Sequence, residues 1–130
     1  MLNNKAILIV DDEFIILESL RIQISRILPE TILLEAASSG EESFQVIDDF
    51  YDNGNELVLV ISDFHLDDVK GTEILKYAVQ KYPQVQKAIL TGQADVEQIK
   101  IFQSEFGETT TLSKPWDFSD IQNMITPFID

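Results

Sequence analysis

Residues 6–13 read AILIVDDE and residues 57–63 read LVLVISD. Each stretch is an unbroken apolar run that closes on an acidic residue. A strand with one wet face alternates polar and apolar side chains. A run rich in Val, Ile and Leu without alternation marks a strand covered on both faces, as in a parallel sheet. Working outward, Thr31–Leu34, Val85–Leu90 and Thr109–Leu112 fit three further strands.

Between these runs the apolar period changes to that of a helix. Phe14, Leu17, Leu20, Ile24 and Ile27 recur at three and four and stop at Leu28-Pro29, where proline disfavours helix in the residue before it. Ile74, Leu75, Ala78, Val79 and Tyr82 behave alike and stop at Pro83. Ser39 is placed to cap a helix through Phe50, with Glu42 completing a capping-box pattern. Val96, Ile99, Phe102 and Phe106 line a fourth helix that ends at Gly107. Phe118, Ile121, Ile125 and Phe128 line a fifth, with Ser119 or Asp117 near its start. Tyr51–Glu56 reads as a flexible loop. Five strands alternating strictly with five helices predict an α/β fold: a single doubly wound parallel sheet with right-handed crossovers.

The chain has 130 residues, the size of one domain, and size scaling leaves roughly 7,000 Å² of surface exposed out of roughly 21,000 Å² in the open chain. One core without staples suffices. Cys is 0, which excludes disulfide scaffolds, thiolate zinc sites and cysteine nucleophiles, and which a reducing cytoplasm permits. Lys+Arg 9 against Asp+Glu 23 sets the formal net charge at −14. A surface of that sign repels phosphate backbones and anionic lipid, so neither direct nucleic-acid binding nor membrane binding is expected. The N-terminus lacks the long apolar core and small-residue cleavage site of a signal peptide. The expectation is one cytoplasmic domain over residues 1–130 with no output domain.

In a doubly wound sheet the working residues lie just beyond the carboxyl ends of the strands. Those positions hold Asp11, Asp12 and Glu13 after the first strand, Asp63 after the third, Thr91 after the fourth and Lys114-Pro115 after the fifth. Singly each has an ordinary reading: Asp11 and Asp12 as helix caps, Asp63 as a polar loop residue, Thr91 as a strand end, His65 as an exposed loop residue. Jointly they place three carboxylates on one rim, which repel unless a cation sits among them. With oxygen donors and no thiol, Mg²⁺ or Mn²⁺ suits the set better than zinc. A metal, a carboxylate, a hydroxyl and an ammonium describe phosphoryl transfer to a carboxylate.

These residues resemble the receiver domain of two-component response regulators. The matching pieces are ILIVDDE at 7–13, VISDFHLDDVKG at 60–71, ILTG at 89–92 and LSKPW at 112–116. Asp12 to Asp63 spans 51 positions, slightly long, with the surplus assigned to the 51–56 loop; Asp63 to Thr91 spans 28 and Thr91 to Lys114 spans 23. The resemblance implies a flavodoxin-like strand order 2-1-3-4-5. It implies that Asp63 accepts a phosphoryl group from the phosphohistidine of a sensor histidine kinase or histidine phosphotransfer protein. Asp11, Asp12, Asp63 and the backbone carbonyl of His65 would hold Mg²⁺, while Thr91 and Lys114 would bind phosphoryl oxygens. The chain would then be a signalling phosphoacceptor rather than an enzyme on other substrates. Its strand-four to helix-five surface would meet a downstream protein or a second copy of itself.

Three departures from that pattern stand out. Asp67 replaces the usual proline, beside Asp68, in a loop expected to be less rigid, although Gly71 is retained. Thr111 stands where an aromatic commonly rotates between states. Trp116 replaces the commoner Phe. Three other readings remain on sequence grounds: a haloacid-dehalogenase-type phosphatase with Asp11 as nucleophile, a flavodoxin-like FMN binder, and a receiver-like interaction module that needs no phosphorylation. The first requires Asp at Glu13, and the second would set Asp11, Asp12 and Glu13 against a phosphate.

Overall fold

The structure, a computed structural model, describes residues 4–92 and 95–129. Five parallel strands form one sheet in the order β2-β1-β3-β4-β5, with β1 Lys5–Val10, β2 Ile32–Ala37, β3 Glu56–Asp63, β4 Gln86–Thr91 and β5 Thr110–Ser113. Five helices separate them: α1 Phe14–Ser25, α2 Gly40–Asp52, α3 Gly71–Lys81, α4 Val96–Phe106 and α5 Phe118–Ile125, followed by a short 3-10 turn Thr126–Phe128. This is the flavodoxin-like order the resemblance implied. The accessible surface is 7235 Å², as size scaling anticipates.

The unbroken apolar runs find their cause in two cores. Ala6, Leu8 and Val10 of β1 pack with Ile47 and Phe50 of α2, Ile74, Leu75 and Ala78 of α3, and Ile99 and Phe102 of α4. Ile7 and Ile9, on the other face, pack with Leu17, Leu20 and Ile24 of α1 and Ile121 and Ile125 of α5. All five β1 residues from Ala6 to Val10 are wholly buried, each adding roughly 1.5–3 kcal/mol for the larger side chains. β3 departs from simple alternation: its register against β1 shifts between Ala6 and Ile7, so Leu57 and Leu59 are successive partners and Val58 and Leu59 join the same core. The extra residue is a β-bulge.

Several expected edges move. Tyr51 and Asp52 belong to α2 and Glu56 opens β3, so the loop contracts to Asn53–Asn55, where Gly54 has φ 76°. Asn55 N–H donates to the Phe50 carbonyl, and the Tyr82 hydroxyl donates to the Asn55 carbonyl. Phe14 and Val96, read as parts of apolar stripes, are 75% and 52% exposed because each opens a helix at the rim, where no layer covers it. Phe118 is likewise exposed. Ser39 caps α2 by accepting from Glu42 N–H, but Glu42 returns its carboxylate to Ser38 N–H, one residue earlier than a capping box requires. Among the described residues, no helix is long and apolar enough to cross a membrane.

Gly71 opens α3 with its amide donating to the Phe64 carbonyl at 2.7 Å. A Cβ there would lie 2.1 Å from the Asp63 carbonyl oxygen and 3.0 Å from Ser62 Oγ. Backbone would have to yield. Gly71→Ala is expected to cost about 1–3 kcal/mol of stability, the usual range for overpacking, read as a lower urea midpoint at unchanged slope.

Candidate functional site

Parallel pairing brings the ends of β1, β3, β4 and β5 to one rim. Phe64 N–H donates to the Leu90 carbonyl and Lys114 N–H to the Thr91 carbonyl, which extends the pairing past Asp63 and Ser113. The Lys114–Pro115 peptide is cis. The Lys114 side chain is about four-fifths buried and places Nζ 2.9 Å from Asp11 Oδ2 and 3.0 Å from Asp63 Oδ1. Asp11 is fully buried and Asp63 nearly so. Asp11 Oδ1 accepts from Glu13 N–H at 2.8 Å and so turns the chain into α1. Its Oδ2 lies within ion-pair distance of Lys114 but makes no well-directed hydrogen bond. That contact is charge pairing, and Oδ2 keeps lone-pair capacity for a further cation.

One oxygen from each of Asp11, Asp12 and Asp63 lies within 4.8 Å of the others. Burial pushes the Asp63 carboxyl above the usual carboxylate range; the Lys114 ammonium pulls it back in part, and the Asp11 charge adds to the rise. For Lys114 burial is the largest single influence and works against the charged form, but pairing with the Asp11 and Asp63 carboxylates together outweighs it and its pKa rises. A buried oxygen without a directed donor, within a set of three oxygen-donor side chains, fits a hard divalent cation.

The other expected site residues, Thr91 and His65, lie on the same rim and share Asp95 as a partner. Thr91 ends β4, buried, and its hydroxyl donates to Asp95 Oδ2 at 3.3 Å. His65 is exposed on its ring, as read, yet Nε2 lies 3.0 Å from Asp95 Oδ1. Thr111 is exposed on β5.

A family model for the response regulator receiver domain matches residues 7–126. The chain belongs to that family. Among solved structures, the receiver resembles the CheY-like response regulator receiver domain protein of Methanospirillum hungatei JF-1, at 29% identity and TM-score 0.77 over 96% of this chain and 93% of that one. It also resembles the signal receiver domain of an HD domain-containing protein from Pseudomonas fluorescens Pf-5, at 28% identity and TM-score 0.78 over 98% and 88%. CheY4 of Vibrio cholerae shares the fold at TM-score 0.73 and 20% identity, over 96% of this chain and 98% of that one. A comparison with curated protein sequences returns no match. Receivers bind Mg²⁺ at an acidic pocket, and this receiver carries such a cluster.

Two parts of the receiver's rim escape a reading of the sequence. Asp95 reads as an ordinary helix start, and only its position four residues after Thr91 hints at more. Trp116 Nε1–H donates to Gln23 Oε1 at 2.8 Å, tying the Lys114 loop to α1 across 93 positions.

The loop after Asp63, expected to be less rigid, is pinned at its middle. Asp67 N–H donates to Asp12 Oδ2 at 2.9 Å, and the Asp68 carboxylate accepts from Gly40 N–H and Glu41 N–H, both at 2.9 Å, at the start of α2. Those two amides hold the Asp68 carboxyl below the usual range. A depressed folded-state pKa adds stability that is present above the unfolded value near ~3.9 and is lost as pH falls through the folded one. Asp68→Asn is therefore expected to unfold at lower temperature than wild type at pH 7, with the gap closing as pH drops below about 4 in calorimetry.

Proposed function

We propose that this receiver takes a phosphoryl group on Asp63 from the phosphohistidine of a sensor histidine kinase or histidine phosphotransfer protein. The observation that carries the proposal is the Lys114 ammonium held between Asp11 Oδ2 and Asp63 Oδ1. It is a positive charge already beside the atom that would acquire an anionic group.

In the transfer, a carboxylate oxygen of Asp63 forms a bond to phosphorus as the phosphorus–nitrogen bond to the donor imidazole breaks. The imidazole leaves with that electron pair and is reprotonated. Mg²⁺, or Mn²⁺, held by Asp11, Asp12, Asp63 and the His65 carbonyl, would supply charge neutralisation on the phosphoryl oxygens. Lys114 moves from Asp63 Oδ1 to one phosphoryl oxygen, keeping Asp11 as its other partner, and the Thr91 hydroxyl donates to another. The preformed pair orders Lys114 before the chemistry, so little reorganisation is left for the transfer itself.

The added charge of roughly −1.5 to −2 then acts on a rim that is already acidic. The readout face is β4 to α5, met by a downstream protein or a second copy of the chain, within the cytoplasm. The chain catalyses its own phosphorylation and dephosphorylation only. Asp11 is a poorer nucleophile: it is fully buried, one oxygen is committed to Glu13 N–H, and the other faces Lys114. An interaction module indifferent to phosphorylation has no use for an ammonium held beside Asp63.

Intact-mass measurement after incubation with acetyl phosphate and MgCl2 should show one phosphoryl group on wild type and none on Asp63→Asn. Labelling that persists in Asp63→Asn and disappears in Asp11→Asn would move the nucleophile to Asp11. MgCl2 alone should raise the melting temperature by relieving carboxylate repulsion, by up to about 3 kcal/mol of stability at a hundredfold excess over Kd. The rise should shrink in Asp12→Asn; equal rises in both proteins count against Asp12 as a ligand.

A further inference from the structure

We propose that Asp95 is the positioning residue that converts phosphorylation of Asp63 into movement of α4, by competing for the Thr91 hydroxyl proton. The proposal rests on the reading of Asp63 and Thr91 given above and adds the residue through which the change leaves the site.

Asp95 stands at the N-cap of α4, where an aspartate ordinarily accepts from first-turn amides. It makes no such bond. Its backbone, at φ −116° and ψ 21°, is not in the extended conformation that capping needs. The side chain is buried, and both oxygens are spent elsewhere: Oδ2 accepts from the Thr91 hydroxyl and Oδ1 from His65 Nε2–H. His65 must carry its proton on Nε2 here, because a carboxylate only accepts. One carboxylate thus joins the end of β4, the loop after Asp63 and the start of α4.

A threonine hydroxyl has one proton to donate. It cannot serve Asp95 Oδ2 and a phosphoryl oxygen on Asp63 together. At 3.3 Å the present bond is long for an O–H donor, so a phosphoryl oxygen competes for it effectively. Once the hydroxyl turns away, Oδ2 is a carboxylate oxygen nearly shut off from water with no donor, a costly state. The donors an N-cap side chain ordinarily reaches are the first-turn amides of α4, those of Glu97 and Gln98, which the Asp95 side chain does not cap here. Reaching them requires rotation about the Asp95 backbone toward the extended conformation, which shifts the start of α4 relative to β4. This route needs no rotating aromatic on β5, where this chain has the small, exposed Thr111.

The test uses the full chain with beryllium fluoride and MgCl2, followed by amide NMR. In wild type, the adduct should slow hydrogen exchange at the Glu97 and Gln98 amides. Asp95→Ala should abolish that slowing and lower the half-saturating beryllium fluoride concentration about 3- to 5-fold, the value of one ordinary hydrogen bond no longer broken on binding. The tightening should vanish in a Thr91→Ala background, whereas a merely structural role for Asp95 would leave the two substitutions additive. Asp95→Asn, which keeps the size and one acceptor, should restore part of the wild-type behaviour. Equal half-saturation in wild type and Asp95→Ala, or additivity with Thr91→Ala, overturns the proposal. If Asp95→Ala fails to fold, exchange at Glu97 and Gln98 in wild type decides alone, and unchanged rates overturn it. An adduct that never forms in wild type overturns the Asp63 reading as well; one that forms without these responses overturns only the role of Asp95.

Discussion

The ion contact among Lys114, Asp11 and Asp63 is the constraint on which the rim depends. A chain of net charge −14 gathers three carboxylates at the ends of two adjacent strands and supplies one ammonium to the middle of them. At an effective dielectric near 20, a pair of unit charges 4 Å apart interacts by about 4 kcal/mol. A single lysine therefore offsets part of the mutual repulsion and leaves the rest to a divalent ion. The arrangement is poised: Lys114 is already beside Asp63, and Asp11 keeps an oxygen without a directed donor.

The loop that follows Asp63 is held in place by backbone amides. Asp12 reaches across to Asp67 N–H, Asp68 bridges to the first two amides of α2, and Gly71 packs its backbone against the Asp63 carbonyl. Asp67, in place of the usual proline, supplies the N–H that Asp12 holds, and Asp68 beside it ties the loop to α2, so hydrogen bonding stands in for ring rigidity. The same carboxylates that raise the charge of the rim also hold its shape.

Much of the architecture was legible because burial on two faces imposes an unbroken apolar run that few other environments allow. Ala6–Val10 and Leu57–Ile61 announce parallel strands, and their ends announce Asp11, Asp12 and Asp63. The legible part stops where contacts are distant in the chain. Nothing near Gln23 points to Trp116, and nothing near Asp68 points to Gly40, since such bonds depend on how helices come to lie together. Apolar stripes also overreach: Phe14 and Val96 keep the helical period but open their helices beyond any covering layer. The loop at Tyr51–Glu56 was overdrawn because polar residues at the end of α2 are those of an exposed helix face as much as of a turn.

The doubled residue at Val58 and Leu59 in the central strand carries a consequence for length variation. Side chains in a strand alternate between faces, so each single-residue change in length exchanges the faces for everything on one side of it. A chain shorter by one residue between Leu57 and Ile61 would either lose the bulge or send one flank of β3 into the wrong core, with Asp63 turned away from Lys114. Single-residue deletions in relatives sharing this geometry should accordingly fall at the doubled position itself or outside that stretch.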